Sequence, residues 1–130
     1  MSERADLIDL VASLKEARVL CIGDVMLDHF RYGEVERISP EAPVPVLRLE
    51  REVTMLGGAG NVARNLAALG AEVGFVSVAG DDEDGARARA LLADLGLRDF
   101  VLVADGERRT STKTRYLAGT QQVLRADSET

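Results

Sequence analysis

The sequence is poor in the residues that staple, redox and metal proteins depend on. It holds one cysteine, Cys21, and one histidine, His29. A single cysteine excludes an intrachain disulfide and fits a reducing compartment. One histidine with one cysteine leaves no ligand set for zinc. No apolar run approaches the roughly 18 residues of a membrane-spanning helix, and Glu3, Asp6 and Asp9 keep the N-terminal stretch from reading as a secretory signal. Positive charge is also scarce: 16 Lys and Arg stand against 22 Asp and Glu, for a formal net charge of −6. Phosphate contacts to nucleic acid need a basic face, so the expected chain is soluble and cytoplasmic, with neither nucleic acid nor membrane as a partner. Neither a G-x-S-x-G elbow nor a G-x-x-x-x-G-K-[ST] loop occurs.

What is present is an ordinary globular balance, 46% hydrophobic over 130 residues. That is enough for one domain, or part of one, that buries roughly two-thirds of its unfolded surface. Apolar runs near 18–22, 73–78 and 100–103 read as buried core strands. Helices are expected over 5–17, with Leu7, Val11 and Leu14 on a buried face, over 61–69, and over 84–95, capped by Asp82 or Asp84. Segments 29–35, 44–53, 112–117 and 122–125 read as further strands, and the prolines beside the second suit an edge. Core strands alternating with helices give a mostly parallel α/β sheet. The extra strands, inserted at two points, are expected to assemble into one small β lid.

The densest signal is Gly57-Gly58-Ala59-Gly60-Asn61, which runs directly into the apolar periodicity of Val62, Leu66 and Leu69. Glycines let a backbone approach a ligand closely, and a helix start offers free N–H groups and a positive dipole end. Such a turn suits an oxygen-rich or anionic small molecule. Asp24 and Asp28 follow the first core strand, where ligands of parallel sheets bind, and a carboxylate can accept from two sugar hydroxyls. Turn chemistry is the plainer account of either acid. Lys113 and Arg115 share one strand face, with Thr112, Thr114 and Tyr116 on the other. The two cations could hold a phosphate or form a solvated face. Gly58-Ala59-Gly60-Asn61-Val62-Ala63 also fits G-x-G-x-x-A, with Asp81 at the spacing of a ribose-binding acid. A dinucleotide-binding domain therefore stays open, although no buried strand directly precedes the motif.

Three signatures together resemble the N-terminal half of the ribokinase-type (PfkB-type) carbohydrate kinases: the glycine run closed by Leu69-Gly70, Gly23-Asp24 with Asp28, and Gly80-Asp81-Asp82 with Gly85. Within that family the likeness is strongest to heptose 7-phosphate kinases. It rests on residues 23–28, on Arg37 to Val46, and on Thr112-Lys113-Thr114-Arg115 with Gln121 to Asp127; Thr120 stands where relatives often have Asn. The resemblance implies a ribokinase-like α/β fold with a β lid. It implies transfer of the ATP γ-phosphate, with Mg²⁺, to the anomeric hydroxyl of a heptose 7-phosphate, in supply of lipopolysaccharide core precursors. It places Asp28 and Asn61 on sugar hydroxyls, the Gly57-Gly58 backbone against the sugar, and Lys113 and Arg115 on the lid. Asp24 and Arg125 complete the expected substrate-binding set. It also implies a homodimer paired through lid strands. The family's catalytic base lies in a Gly-Ala-Gly-Asp motif, absent from these residues, in a fold of roughly 300 residues. The base and most of the ATP site are therefore expected beyond Thr130, and the 130 residues alone are expected to be inactive. A non-catalytic sugar-binding or lid-dimerising module is the alternative.

Overall fold

The computed structural model describes residues 2–130. Helix α1 (Glu3–Ser13) and a 3-10 turn (Leu14–Glu16) lead into β1 (Arg18–Ile22). Two long strands follow, β2 (Val25–Ile38) and β3 (Pro45–Gly58), then α2 (Ala59–Ala68), β4 (Glu72–Gly80), α3 (Glu83–Ala93) and β5 (Asp99–Asp105). The hairpin β6 (Thr112–Ala118) and β7 (Gln121–Ser128) completes the order.

Two sheets form. β1, β4 and β5 make a parallel layer in the order β1-β4-β5, and the other four strands make a mixed lid in the order β3-β2-β6-β7. The lid therefore collects strands from two separate points in the chain. It is longer than the sequence suggests, because β2 begins at Val25 rather than 29 and β3 reaches Gly58 rather than ending at 53. The cause is packing: Val25 and Leu27 on β2 and Leu56 on β3 are buried in the core, so pairing starts there and continues outward. The prolines fall where expected, Pro40 and Pro43 in the connecting turn and Pro45 at the start of edge strand β3.

The core lies between one face of the parallel layer and α2 and α3, around Phe75, Val73, Ala63, Ala88 and Leu92. In α2 the buried positions are Gly60 and Ala63, with Leu66 packed partly buried against the core, while Val62 and Leu69 are about half exposed. Asp82 caps α3 as expected, accepting from Gly85 N–H at 2.7 Å.

Two expectations of burial are corrected. Helix α1 is shorter than 5–17 and buries no residue; Leu7 and Val11 are spaced for a face that nothing among the described residues covers. The parallel strands are covered on one side only. Leu20, Ile22, Val101 and Val103 share the opposite face, and Ile22 is 71% exposed. Strands of this apolarity normally need cover on both faces.

Candidate functional site

Asp28 does not sit in a loop past β1. It lies within β2, one residue after the fully buried Leu27, so the core fixes where its side chain emerges. Alternation along the strands then sorts the side chains. Strand pairing places Met55, Asp28, Lys113 and Asp127 in one row across the lid, and Val53, Phe30, Arg115 and Arg125 in the next row of the same face. The opposite face carries His29, which is buried against Thr54 (Nδ1 to Oγ1, 2.9 Å) and lies 3.7 Å from Asp84 on α3, and Glu52, within 3.9 Å of Arg87 on α3; the contacts to Asp84 and Arg87 tie the lid base to that helix.

Arg115 Nη1 donates to Asp28 Oδ1 at 2.9 Å, a pair whose side chains are each 22% exposed, and its guanidinium lies 5.1 Å from the Phe30 ring centroid. The other carboxylate oxygen faces the glycine bend. A methyl group at Gly57 would come within 2.6 Å of Asp28 Oδ2, so Gly57 is glycine because the acid occupies that space. Oδ2 takes no hydrogen bond among the described residues. Gly58 has φ of +56°, a left-handed conformation that side chains resist, and a methyl there would meet the Asp24 carbonyl.

Lys113 Nζ reaches Asp127 Oδ2 at 3.2 Å, and Arg125 Nε reaches Asp127 Oδ1 at 3.0 Å. Partial desolvation works to raise the Asp127 carboxyl, but the hydrogen bonds from Lys113 and Arg125 outweigh it and hold it below the usual carboxylate range. Asp127 and Phe30 are functional candidates that the residue-by-residue reading passed over. The two-residue spacing from Arg125 to Asp127 was the available signal for the first.

The structure thus brings Asp28, Gly57, Lys113, Arg115 and Arg125 onto one face. Asn61 lies in the first turn of α2, three residues past Gly58, with its amide oxygen held by Arg64 Nη2 at 2.8 Å. Asp24 goes elsewhere. Its carbonyl accepts from the Ala59 N–H at the start of α2 (2.9 Å), and the residue lines a neighbouring cavity of ≈ 210 Å³ shared with Met26, Arg109 and Thr110. Met26 is the link, on the Asp28 side of β2 and beside both glycines. The dinucleotide reading loses its footing, because the glycine run follows antiparallel lid strand β3 and not a parallel core strand. No group of three or more His, Cys, Asp or Glu side chains among the described residues is arranged to hold a metal. No helix among them is long and apolar enough to cross a membrane.

A parallel α/β layer with a β lid, one lid face carrying an acid against a glycine bend and three cations, defines a lid-bearing α/β domain. The sequence pattern of the pfkB family carbohydrate kinases matches residues 16–129, and the chain belongs to that family. It is 55% identical over 129 residues to the bifunctional protein HldE of Paramagnetospirillum magneticum, covering 99% of this chain and 26% of that protein. It is 54% identical over 116 residues to the D-beta-D-heptose 7-phosphate kinase of Bordetella bronchiseptica, covering 89% of this chain and 37% of the relative. Among solved structures it resembles a carbohydrate kinase from Agrobacterium tumefaciens (TM-score 0.68, 26% identity, 86% of this chain and 35% of that one). It also resembles a fructokinase with bound ATP from Xylella fastidiosa (TM-score 0.60, 25% identity, 85% and 32%). The chain therefore spans about a quarter of the first of these relatives and about a third of the solved structures it matches.

Proposed function

We propose that this chain forms the sugar-binding part of an ATP-dependent kinase that phosphorylates the anomeric hydroxyl of a heptose 7-phosphate. The observation that carries the reading is the Asp28 carboxylate, with one oxygen on Arg115 and the other open beside Gly57. An ionised carboxylate held in this way is a ready acceptor for sugar hydroxyls, and the missing side chain at Gly57 gives a ring room to approach. Asn61, at the adjacent helix start, offers an amide to the same polyol. The cations of the lid face suit the phosphate that the substrate already carries. The heptose-kinase relatives support the substrate class.

In this reading the anomeric oxygen attacks the γ-phosphorus, the bond from that phosphorus to the ADP oxygen breaks, and the hydroxyl proton passes to a general base. ATP supplies the phosphoryl group. The described residues do not by themselves make a Mg²⁺ site, so the work assigned to this chain is confined to holding and orienting the sugar. The base belongs, by the family pattern, to a Gly-Ala-Gly-Asp segment that these 130 residues do not contain. The test is ³¹P NMR of the protein as its gene encodes it, with ATP and heptose 7-phosphate. A new anomeric phosphate ester is expected, and its absence refutes the reading. The 130 residues alone are expected to give none, and turnover by them would overturn the division of labour.

The lid has a further role in this proposal. β3 and β7 are edge strands with unpaired backbone groups, and the outer lid carries an apolar groove of Val35, Leu47, Tyr116 and Leu124. Pairing with a second copy would cover both. Sedimentation giving a monomer at assay concentrations would remove this partner.

A further inference from the structure

The three cations of the lid face are not equivalent. Arg115 and Asp28 form a one-to-one pair, and the Arg115 guanidinium is further fixed over Phe30. On β6 and β7, two cations share a single carboxylate: Asp127 takes Lys113 on one oxygen and Arg125 across both. The uncompensated positive charge of this face therefore lies at Lys113 and Arg125. Both side chains already converge on one small anion, and each keeps donors to spare. Lys113 uses one of its three N–H bonds, and Arg125 has Nη1 uncommitted.

Resting on the reading that this face binds a phosphorylated sugar, we propose that Lys113 and Arg125, aligned by Asp127, form the subsite for the phosphate ester, and that Arg115 is a positioning residue for Asp28. Spacing favours this division. β2, β6 and β7 are consecutive in the sheet, so Lys113 stands one strand spacing from the Asp28 column and Arg125 stands two, roughly 10 Å. That is wider than a pyranose ring and suits a phosphate carried on an exocyclic carbon while the ring hydroxyls stay on Asp28. Asp28 neutralises Arg115 alone, whereas Asp127 is shared by two cations and leaves net positive charge there for a phosphate.

The experiment measures calorimetric affinity and steady-state kinetics of the gene-encoded protein with heptose 7-phosphate and with the same heptose lacking phosphate. The double variant Lys113→Gln/Arg125→Gln is expected to weaken the phosphorylated sugar by roughly 100-fold, through KM, because two charge-assisted contacts are lost. The unphosphorylated sugar should change by less than about threefold, since an uncharged end makes no charge-assisted contact there. Lys113→Arg/Arg125→Lys should keep the preference for phosphate, which controls for misfolding. Arg115→Gln should weaken both sugars by the same factor, and Arg115→Lys should restore both. Equal loss of both sugars in the Lys113/Arg125 double variant overturns the phosphate subsite. Loss confined to the phosphorylated sugar in Arg115→Gln overturns the positioning role. A wild-type protein that binds neither sugar overturns the functional reading beneath them.

Discussion

Replacing Gly57 by alanine should damage sugar binding far more than it damages the fold. The new methyl group would lie 2.6 Å from Asp28 Oδ2 and 2.9 Å from both Asp28 Cγ and Met26 Cγ. Ordinary contact begins at 3.4 Å, so the carboxylate must retreat by roughly 0.8 Å, the gap between 2.6 and 3.4 Å. Its retreat is constrained. Leu27 is buried on one side of Asp28 along the strand, and Arg115 grips Oδ1 at 2.9 Å. The carboxyl must rotate out of the Arg115 bond or lean into the open space beside the glycine bend. Overpacking of this kind costs about 1–3 kcal/mol, while a misplacement near 1 Å at a reacting site costs on the order of 100-fold in rate. The assay pairs kcat/KM for the sugar with a thermal melt of the intact protein. A large fall in kcat/KM with a small fall in Tm is expected. Unchanged kcat/KM would show that Asp28 and the glycine bend do not meet the substrate together. Gly58→Ala is the contrasting variant: its obstacle is the Asp24 backbone carbonyl and its φ is positive, so Tm should fall at least as much as activity.

Asp82 gives a pH test of the layer beneath the site. Desolvation works to raise its carboxyl, yet hydrogen bonds from the Thr110 hydroxyl, the Thr110 N–H and the Gly85 N–H hold it below the ordinary range. A depressed folded value means that its stabilisation is present above the unfolded value and is lost as pH falls through the folded one. Asp82→Asn keeps an N-cap acceptor but puts an amide NH2 where the Thr110 N–H needs an acceptor, so it should lower stability near neutrality by about 1–3 kcal/mol and reduce the acid-side slope of the melting temperature; an unaltered slope refutes the assignment. The bare apolar face of the parallel layer predicts that the 130 residues in isolation bind an apolar dye such as ANS and self-associate. Ile22→Lys with Val101→Lys, neighbours through Val76, should suppress both, and a monomer that ignores the dye would show that the face is covered. Asp28→Ala should lower kcat/KM for the sugar sharply, since hydroxyls lose their acceptor and Arg115 its partner; an unchanged kcat/KM would remove Asp28 from the sugar site.

Period and punctuation made much of this legible. β1 falls at 18–22 as expected, the glycine run does open a helix, Asp82 does cap α3, and strands from two separate points do form one lid sheet. Alternation alone put Lys113 and Arg115 on one face and the Thr112 side chain on the other, and the pairing agrees. Burial was less legible, because periodicity reveals which residues want cover and not what supplies it. Leu7 and Val11 have helical spacing yet stay open, and Leu20 and Ile22 look like core yet form an exposed face. Partner choice was also hidden. Arg115 could be paired with Asp28 only once β2 and β6 were known to be parallel neighbours, and Asp127 could bridge Lys113 and Arg125 only once the β6–β7 register was fixed.

The placement of Asp28 explains why the site can be accurate although it sits on a lid. Lids built from loops owe their geometry to closure, whereas β2 starts as a core strand, with Val25 N–H bonded to Ser77 Oγ at 3.0 Å and Leu27 fully buried. Asp28 emerges at the next residue. Lys113 pairs with it across the sheet, and Leu27 pairs with the buried Thr112. Both strands thus enter the site directly from residues that cannot move without disturbing the core. Beyond this anchored row the lid becomes exposed, with register shifts after Tyr32 and after Val35, and bulges allow a sheet to bend and twist. Motion should therefore concentrate past Gly33, leaving the Asp28 and Lys113 row fixed. Hydrogen exchange of the gene-encoded protein can test this: amides at 27–30 and 112–114 should be protected far longer than those at 34–38 and 45–49. Equal protection along both strands would mean that the acid is carried on a moving flap.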